Sequence, residues 1–193
     1  MIRIGIEGPH GVGKTWAIAR LRDSLPRAAV APEMILKPFN DLHRQFGEGT
    51  FVLNDIVRDA TCDGSAAYCL LDRCAASTYV YQLAEQSDAA GQLFLHLAAQ
   101  LVRARLLHPP TLVLVLMASP SALETRLTQA GRSVPRDYLE RQTEAYERLL
   151  RDEQAQSVLG RAVRLEVERY ATPDLVAAAA KSLIEQECDP SQH

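Results

Sequence analysis

The stretch IRIGIEGPHGVGKTWAIARL, residues 2–21, constrains the fold of this chain more than any other part of it. Gly8, Gly13, Lys14 and Thr15 satisfy G-x-x-x-x-G-K-[ST], and the motif sits between the β-branched run IRIGIE and the segment TWAIARLRDSL, whose Ile18, Leu21 and Leu25 recur at helical spacing. Strand, glycine-rich loop and helix in that order form a phosphate cradle. The run from Gly8 through Pro9, His10, Gly11, Val12 and Gly13 lets the backbone turn so that N–H groups face phosphate oxygens, and the helix adds the positive end of its dipole. Lys14 would reach the β- and γ-phosphates, and Thr15 would hold Mg²⁺ through its hydroxyl. A chance Lys-Thr after a plain turn is the competing reading, and the flanking strand and helix argue against it. The expected ligand is ATP with Mg²⁺.

The remaining composition restricts what surrounds this cradle. A length of 193 residues suits one domain over the whole chain, 1–193, with 47% hydrophobic and 23% charged residues as in ordinary globular proteins. The net charge of -3 argues against a basic face for nucleic acid. Cys62, Cys69, Cys74 and Cys188 form no C-x-x-C pair, so reduced thiols are expected rather than a zinc site. No apolar run reaches the ~18 residues of a membrane span, and a cytoplasmic, soluble protein is expected.

Four further apolar runs read as strands: AAVAPE, AAYCLLD, TLVLVLMA after Pro109-Pro110, and RAVRLEVE before Arg169-Tyr170. Helical stretches alternate with them, namely SDAAGQLFLHLAAQLVRARLL, RDYLERQTEAYERLLRDEQAQ and PDLVAAAAKSLIEQE. Near-continuous apolar strands alternating with helices predict an α/β fold, a parallel sheet covered on both faces. Ligands then gather at the carboxyl ends of the strands, where Glu7, Glu33 and Asp72 stand. The stretch from Lys37 to Gly64 gives no clear pattern.

No N-K-x-D tetrapeptide is present to read guanine, and AAYCLLD ends in Asp72-Arg73 rather than in the acidic pair usual for motor ATPases. IEGPHGVGKT, DRCAASTYVYQ (72–82) and RLTQAGRSVPRDYLERQTEAYERLL together resemble the thymidylate kinase and deoxynucleoside kinase superfamily. Pro9-His10 is similar to the cradle of herpesvirus-type thymidine kinases, and Ala31-Pro32-Glu33 lies where those enzymes carry Pro-Glu-Pro, with Met34 replacing the second proline. The resemblance implies a P-loop NTPase fold, a five-stranded sheet in the order 2-3-1-4-5, a mobile lid near residues 126–137 and packing as a homodimer through helices.

By the same resemblance, Glu33 would be the base that accepts the acceptor's hydroxyl proton, and Arg73 would stabilise the transferred phosphoryl group. Asp72 would hold Mg²⁺ or fix Arg73. Ser77, Thr78, Tyr81 and Gln82 would line the sugar and base pocket, with Phe51, Asn54 and Arg58 beside the base. Arg132 would be the lid arginine that acts in catalysis, with Arg126 the second choice and a contact to ATP, whereas Arg136 reads better as decoration of an exposed loop or as a partner, at helical spacing, of Glu124, Asp137 or Glu140.

The acceptor stays open between several classes. Ala31-Pro32-Glu33-Met34 lacks the arginine and glycine with which thymidylate kinases hold an acceptor phosphate, which favours a nucleoside hydroxyl. DRCAASTYVYQ lies closer to the thymidylate kinase pattern, which favours a nucleoside monophosphate. A modified nucleoside or nucleoside antibiotic is a third acceptor. A nucleotide-binding regulator without transfer activity is a different class altogether.

Overall fold

The computed structural model describes residues 1–34, 41, 43, 44, 49–59 and 64–188. Its centre is a five-stranded parallel sheet in the order β2-β3-β1-β4-β5. The strands are β1 Ile2–Glu7, β2 Ala28–Ala31, β3 Tyr68–Asp72, β4 Leu112–Met117 and β5 Arg161–Glu166. Ile4 is in register with Leu70 on one side and with Leu112 on the other, so β1 lies at the middle of the sheet. All six residues of β4 are buried. Val113, Val115 and Met117 enter one core with Tyr79 and Tyr146, while Leu112, Leu114 and Leu116 enter the other with Leu21 and Ile184. That two-sided burial is what a continuous apolar run in a parallel sheet produces.

Flanking the sheet are the α-helices α1 Lys14–Ser24, α2 Gly49–Asp59, α3 Ala75–Tyr81, α4 Asp88–Arg103, α5 Pro120–Gln129, α6 Arg136–Arg151, α7 Glu153–Leu159 and α8 Pro173–Glu187. None is long and apolar enough to cross a membrane. The chain leaves β1 for the edge strand β2, returns through β3 to β1's side, then crosses to β4. The carboxyl ends of β1 and β3 therefore flank the point where the winding reverses, where an open α/β sheet forms its ligand crevice.

Two sequence expectations are corrected. The run RDYLERQTEAYERLLRDEQAQ is two helices, because Asp152 leaves helical geometry at φ -88 and ψ 92. Its carboxylate accepts the Ala155 N–H at 2.9 Å and the Tyr79 hydroxyl at 2.9 Å, and a short acidic side chain that bonds nearby backbone favours a cap over a helix interior. The helix after β3 passes into a π-helical turn at Gln82–Gln86. Cys69 is disulfide-bonded rather than reduced, while Cys74 and Cys188 are free thiols; Cys62 lies outside the described residues. Pairing of thiols follows the approach of their backbones in space, which spacing in sequence does not report.

Gly8 is required by its geometry. Its φ of 138° is closed to L side chains, and a Cβ there would stand 2.3 Å from the Leu116 carbonyl oxygen. Gly8→Ala is expected to cost about 3 kcal/mol of stability, read as a lower urea midpoint at unchanged m. A wild-type midpoint would contradict this account of the turn.

Candidate active site

The cradle begins at Gly8 and closes at Gly13, with Gly8, Gly11 and Gly13 all at positive φ. Helix α1 starts at Lys14 with no side-chain cap, which leaves the first-turn N–H groups directed at the loop's mouth. Lys14 is buried and folds back onto its own loop, its Nζ donating to the carbonyls of Gly8 at 2.7 Å and Pro9 at 3.0 Å. Burial first, and Arg73 second, push its ammonium down to about 7 from 10.5, against the pull of Glu7, Glu33 and Asp72.

That depression sets a pH dependence with a definite sign. The unfolded chain keeps the Lys14 proton to near 10.5 and the folded chain releases it near 7, so this residue makes the fold more stable as pH rises between those values. A bound polyphosphate would restore the ammonium. A nucleoside triphosphate seated on Lys14 would then take up close to one proton at pH 8 and almost none at pH 6, measured by titration calorimetry in buffers of different ionisation enthalpy. Equal uptake at both pH values would contradict the assignment.

Across the crevice, Arg73 Nε stands 2.7 Å from Glu33 Oε1, a close ion pair without the alignment of a directed hydrogen bond. Arg73 follows β3 with a left-handed φ of 66°. Its Nη1 donates to Ser77 Oγ at 3.4 Å, and its guanidinium lies 5.5 Å from the Tyr81 ring centroid. Glu33 is held from behind: Asn54 Nδ2 donates to its carbonyl at 2.6 Å, and Arg58 Nη1 reaches that carbonyl at 3.5 Å and Asp72 O at 3.3 Å. Arg58 also pairs with Asp55 at 2.5 Å. Burial raises the Asp72 carboxyl above its usual range, against the pull of Arg73, Lys14 and Arg58.

A ring cluster joins the cradle to the opposite wall. His10 packs face to face with Tyr138 at 5.9 Å, and its Nε2 lies 3.3 Å from the Tyr81 hydroxyl. The His10 N–H donates to Gln142 Oε1 at 3.2 Å, and the Tyr138 hydroxyl donates to Glu85 Oε1 at 2.7 Å. Burial, then Arg73, Lys14 and Arg132, lower the imidazole to about 4, so His10 is neutral at physiological pH.

These groups enclose one cavity of about 780 Å³. His10, Gly11, Gly13, Lys14 and Thr15 form its cradle end, and Glu33, Asp72 and Arg73 form its middle. Phe51, Asn54, Arg58, Ser77, Thr78, Tyr81 and Arg132 complete the set expected from sequence that lines it. Gly8, Pro9, Val12 and Arg126 do not line the cavity, and Arg126 Nη1 donates to Val12 O at 3.4 Å. Gln82 belongs to the π-helical turn and does not line the cavity. Arg136 pairs with Glu140 at 3.0 Å on the helix surface.

Sequence reasoning missed Trp16, Met34, His43, Asp55, Cys74 and Glu85 in the wall, and Tyr138, Gln142 and Tyr146 behind it. Spacing carried a partial signal for the helix α6 group, since 138, 142 and 146 recur every four residues on one face.

No protein-family model and no curated protein matches the sequence. Among solved structures, deoxyadenosine kinase from M. mycoides with the products dCMP and a flexible dCDP bound aligns with 96% of this chain and 100% of its own, at 14% identity and a TM-score of 0.62. The chain is similar to that kinase in fold. The strand order 2-3-1-4-5 expected from the sequence resemblance is the order observed. At this identity the likeness carries the fold and leaves the chemistry to the residues of the cavity.

Proposed function

We propose that this chain is a nucleoside kinase, moving the γ-phosphoryl group of Mg-ATP to the 5'-hydroxyl of a nucleoside-type acceptor. The observation that carries this reading is the Glu33–Arg73 pair, at 2.7 Å, standing in the same cavity as Lys14 and Thr15. A carboxylate beside a phosphate cradle suits removal of a hydroxyl proton, and a guanidinium next to it suits the charge that develops on the transferred group.

In this reading Lys14 holds the β- and γ-phosphates and Glu33 accepts the hydroxyl proton. Arg73 leaves Glu33 for the phosphoryl oxygens as the proton moves. Thr15 and Asp72 present oxygen donors to the cavity, the ligand type that Mg²⁺ takes. The metal would supply charge neutralisation on the phosphates. Arg132 at the rim would close over the donor with residues 126–137 as a lid, and Arg126 would steady Val12 or reach the phosphates. Ser77, Thr78 and Tyr81, with Phe51, Asn54 and Arg58, would contact the sugar and base, and Gln82 would join them through movement of its turn.

Of the cations near Glu33, Arg58 is paired with Asp55 and Arg73 is taken by the transferred phosphoryl group, which disfavours an acceptor that already bears a phosphate. The deoxynucleotide products held by the M. mycoides enzyme support a deoxynucleoside acceptor. The whole chain would act as one kinase domain.

A coupled ADP-release assay against nucleosides, their 5'-monophosphates and modified nucleosides tests the proposal. Turnover is expected with at least one nucleoside. Turnover confined to monophosphates would replace the acceptor assignment, and ATP binding without turnover on any acceptor would favour the regulatory reading.

A further inference from the structure

We propose that Glu7 is a positioning residue of this site: its buried carboxylate, acting through the Ser77 hydroxyl, sets the guanidinium of Arg73 opposite Glu33. The inference rests on the kinase reading for its kinetic consequence, and on geometry alone for the placement of Arg73.

Glu7 ends β1 and has no solvent exposure. Three groups from distant parts of the chain donate to it. Oε1 accepts the Cys74 N–H at 2.7 Å, and Oε2 accepts the Ser77 hydroxyl at 2.5 Å and the Tyr146 hydroxyl at 3.0 Å. Gly5 permits the first of these, since a Cβ there would lie 2.9 Å from Cys74 Sγ and push the start of α3 away. A carboxylate is acceptor-only, so every neighbour that bonds to it must turn a hydrogen inward.

That requirement reaches Arg73. A free serine hydroxyl rotates to suit its surroundings, but one committed as donor to a carboxylate presents its lone pairs in a fixed direction. In Ser77 that direction is toward Arg73 Nη1, at 3.4 Å. Arg73 is further confined by its left-handed backbone and by the Tyr81 ring, so the Ser77 contact completes the fixing of a side chain whose Nε stands 2.7 Å from Glu33. Placement of a transition-state cation to a fraction of an ångström governs its effect on rate more than on ground-state binding.

The alternative is that Glu7 only staples β1 to α3 and α6. Glu7→Gln separates the two. The amide keeps the shape, but its NH₂ must face Ser77 or Tyr146, and a Ser77 that accepts from the amide loses its fixed lone pair toward Arg73. The expected result is a fall in kcat of about 10- to 100-fold with KM for ATP and acceptor within about threefold. Ser77→Ala should fall comparably, and the double variant no further than the larger single effect, because the two act in series. Independently of turnover, the Arg73 Nε–Hε resonance, assigned by its loss in Arg73→Lys, is expected to be resolved and slow to exchange in the wild type and averaged in Glu7→Gln. An unchanged Arg73 resonance, unchanged kcat per folded molecule, or multiplying effects in the double variant would overturn the proposal. If Glu7→Gln does not fold, the Ser77→Ala resonance decides in its place. Absence of any turnover in the wild type would defeat the kinase reading and leave the resonance test of Glu7 intact.

Discussion

Lys14→Ala is expected to reduce phosphoryl transfer by about 10³-fold or more while leaving the fold as stable or more so. The loss follows from the position of the residue. Lys14 is the cradle's own cation, and its Nζ now bonds to the Gly8 and Pro9 carbonyls, contacts that a polyphosphate would replace. The stability effect follows from burial, which brings the ammonium down to about 7 and so disfavours its charged form in the folded chain at and below neutral pH. Removing the side chain relieves that penalty, so activity and stability should move in opposite directions, as they do where a site is kept under electrostatic stress for function. Parallel measurement of transfer rate and thermal midpoint at pH 7 checks both. A variant that lost its activity only in proportion to lost folded protein would contradict the account.

Glu33→Gln is expected to lower kcat by about 10²–10⁴-fold with ATP affinity nearly intact. The amide retains the shape and the backbone support that Asn54 and Arg58 give to the Glu33 carbonyl, but it cannot accept the hydroxyl proton. It also breaks the ion pair with Arg73. Freed from Glu33, Arg73 would turn toward the donor phosphates, so any small change in ATP affinity should be toward tighter binding. Pre-steady-state transfer measured beside equilibrium ATP binding separates the terms. Full activity in this variant would remove Glu33 from the role of base.

Much of this architecture was legible because it is local. The strand, loop and helix at the cradle are encoded in residues 2–21, and the alternation of apolar runs with helical periods predicts a parallel sheet without reference to a fold. The strand order was not local and came only through resemblance. The failures have the same character. Asp152 reads as one more polar residue of a helix until Tyr79, from a different element, bonds to its carboxylate. Gln82 follows its helix in sequence yet lies in a π-helical turn beside Gly91, where a Cβ would meet Leu83 Cδ2 at 2.4 Å. Glu7 was visible as a strand-end carboxylate, but its partners Cys74, Ser77 and Tyr146 lie far along the chain, and no pattern in one sequence reports such a convergence. The expected cavity residues Glu33, Arg73 and Lys14 are brought together because strand ends in a parallel sheet converge whatever their order in sequence.

The most direct test of the central proposal is the fate of an isotopically labelled γ-phosphoryl group of ATP, followed by mass spectrometry in the presence of a deoxynucleoside panel, with the Lys14→Ala protein as blank. The expected result is the label on the 5'-oxygen of a nucleoside, in amounts equal to the ADP formed and absent from the blank. Label found only in inorganic phosphate, or only on acceptors that already carry a phosphate, would contradict it.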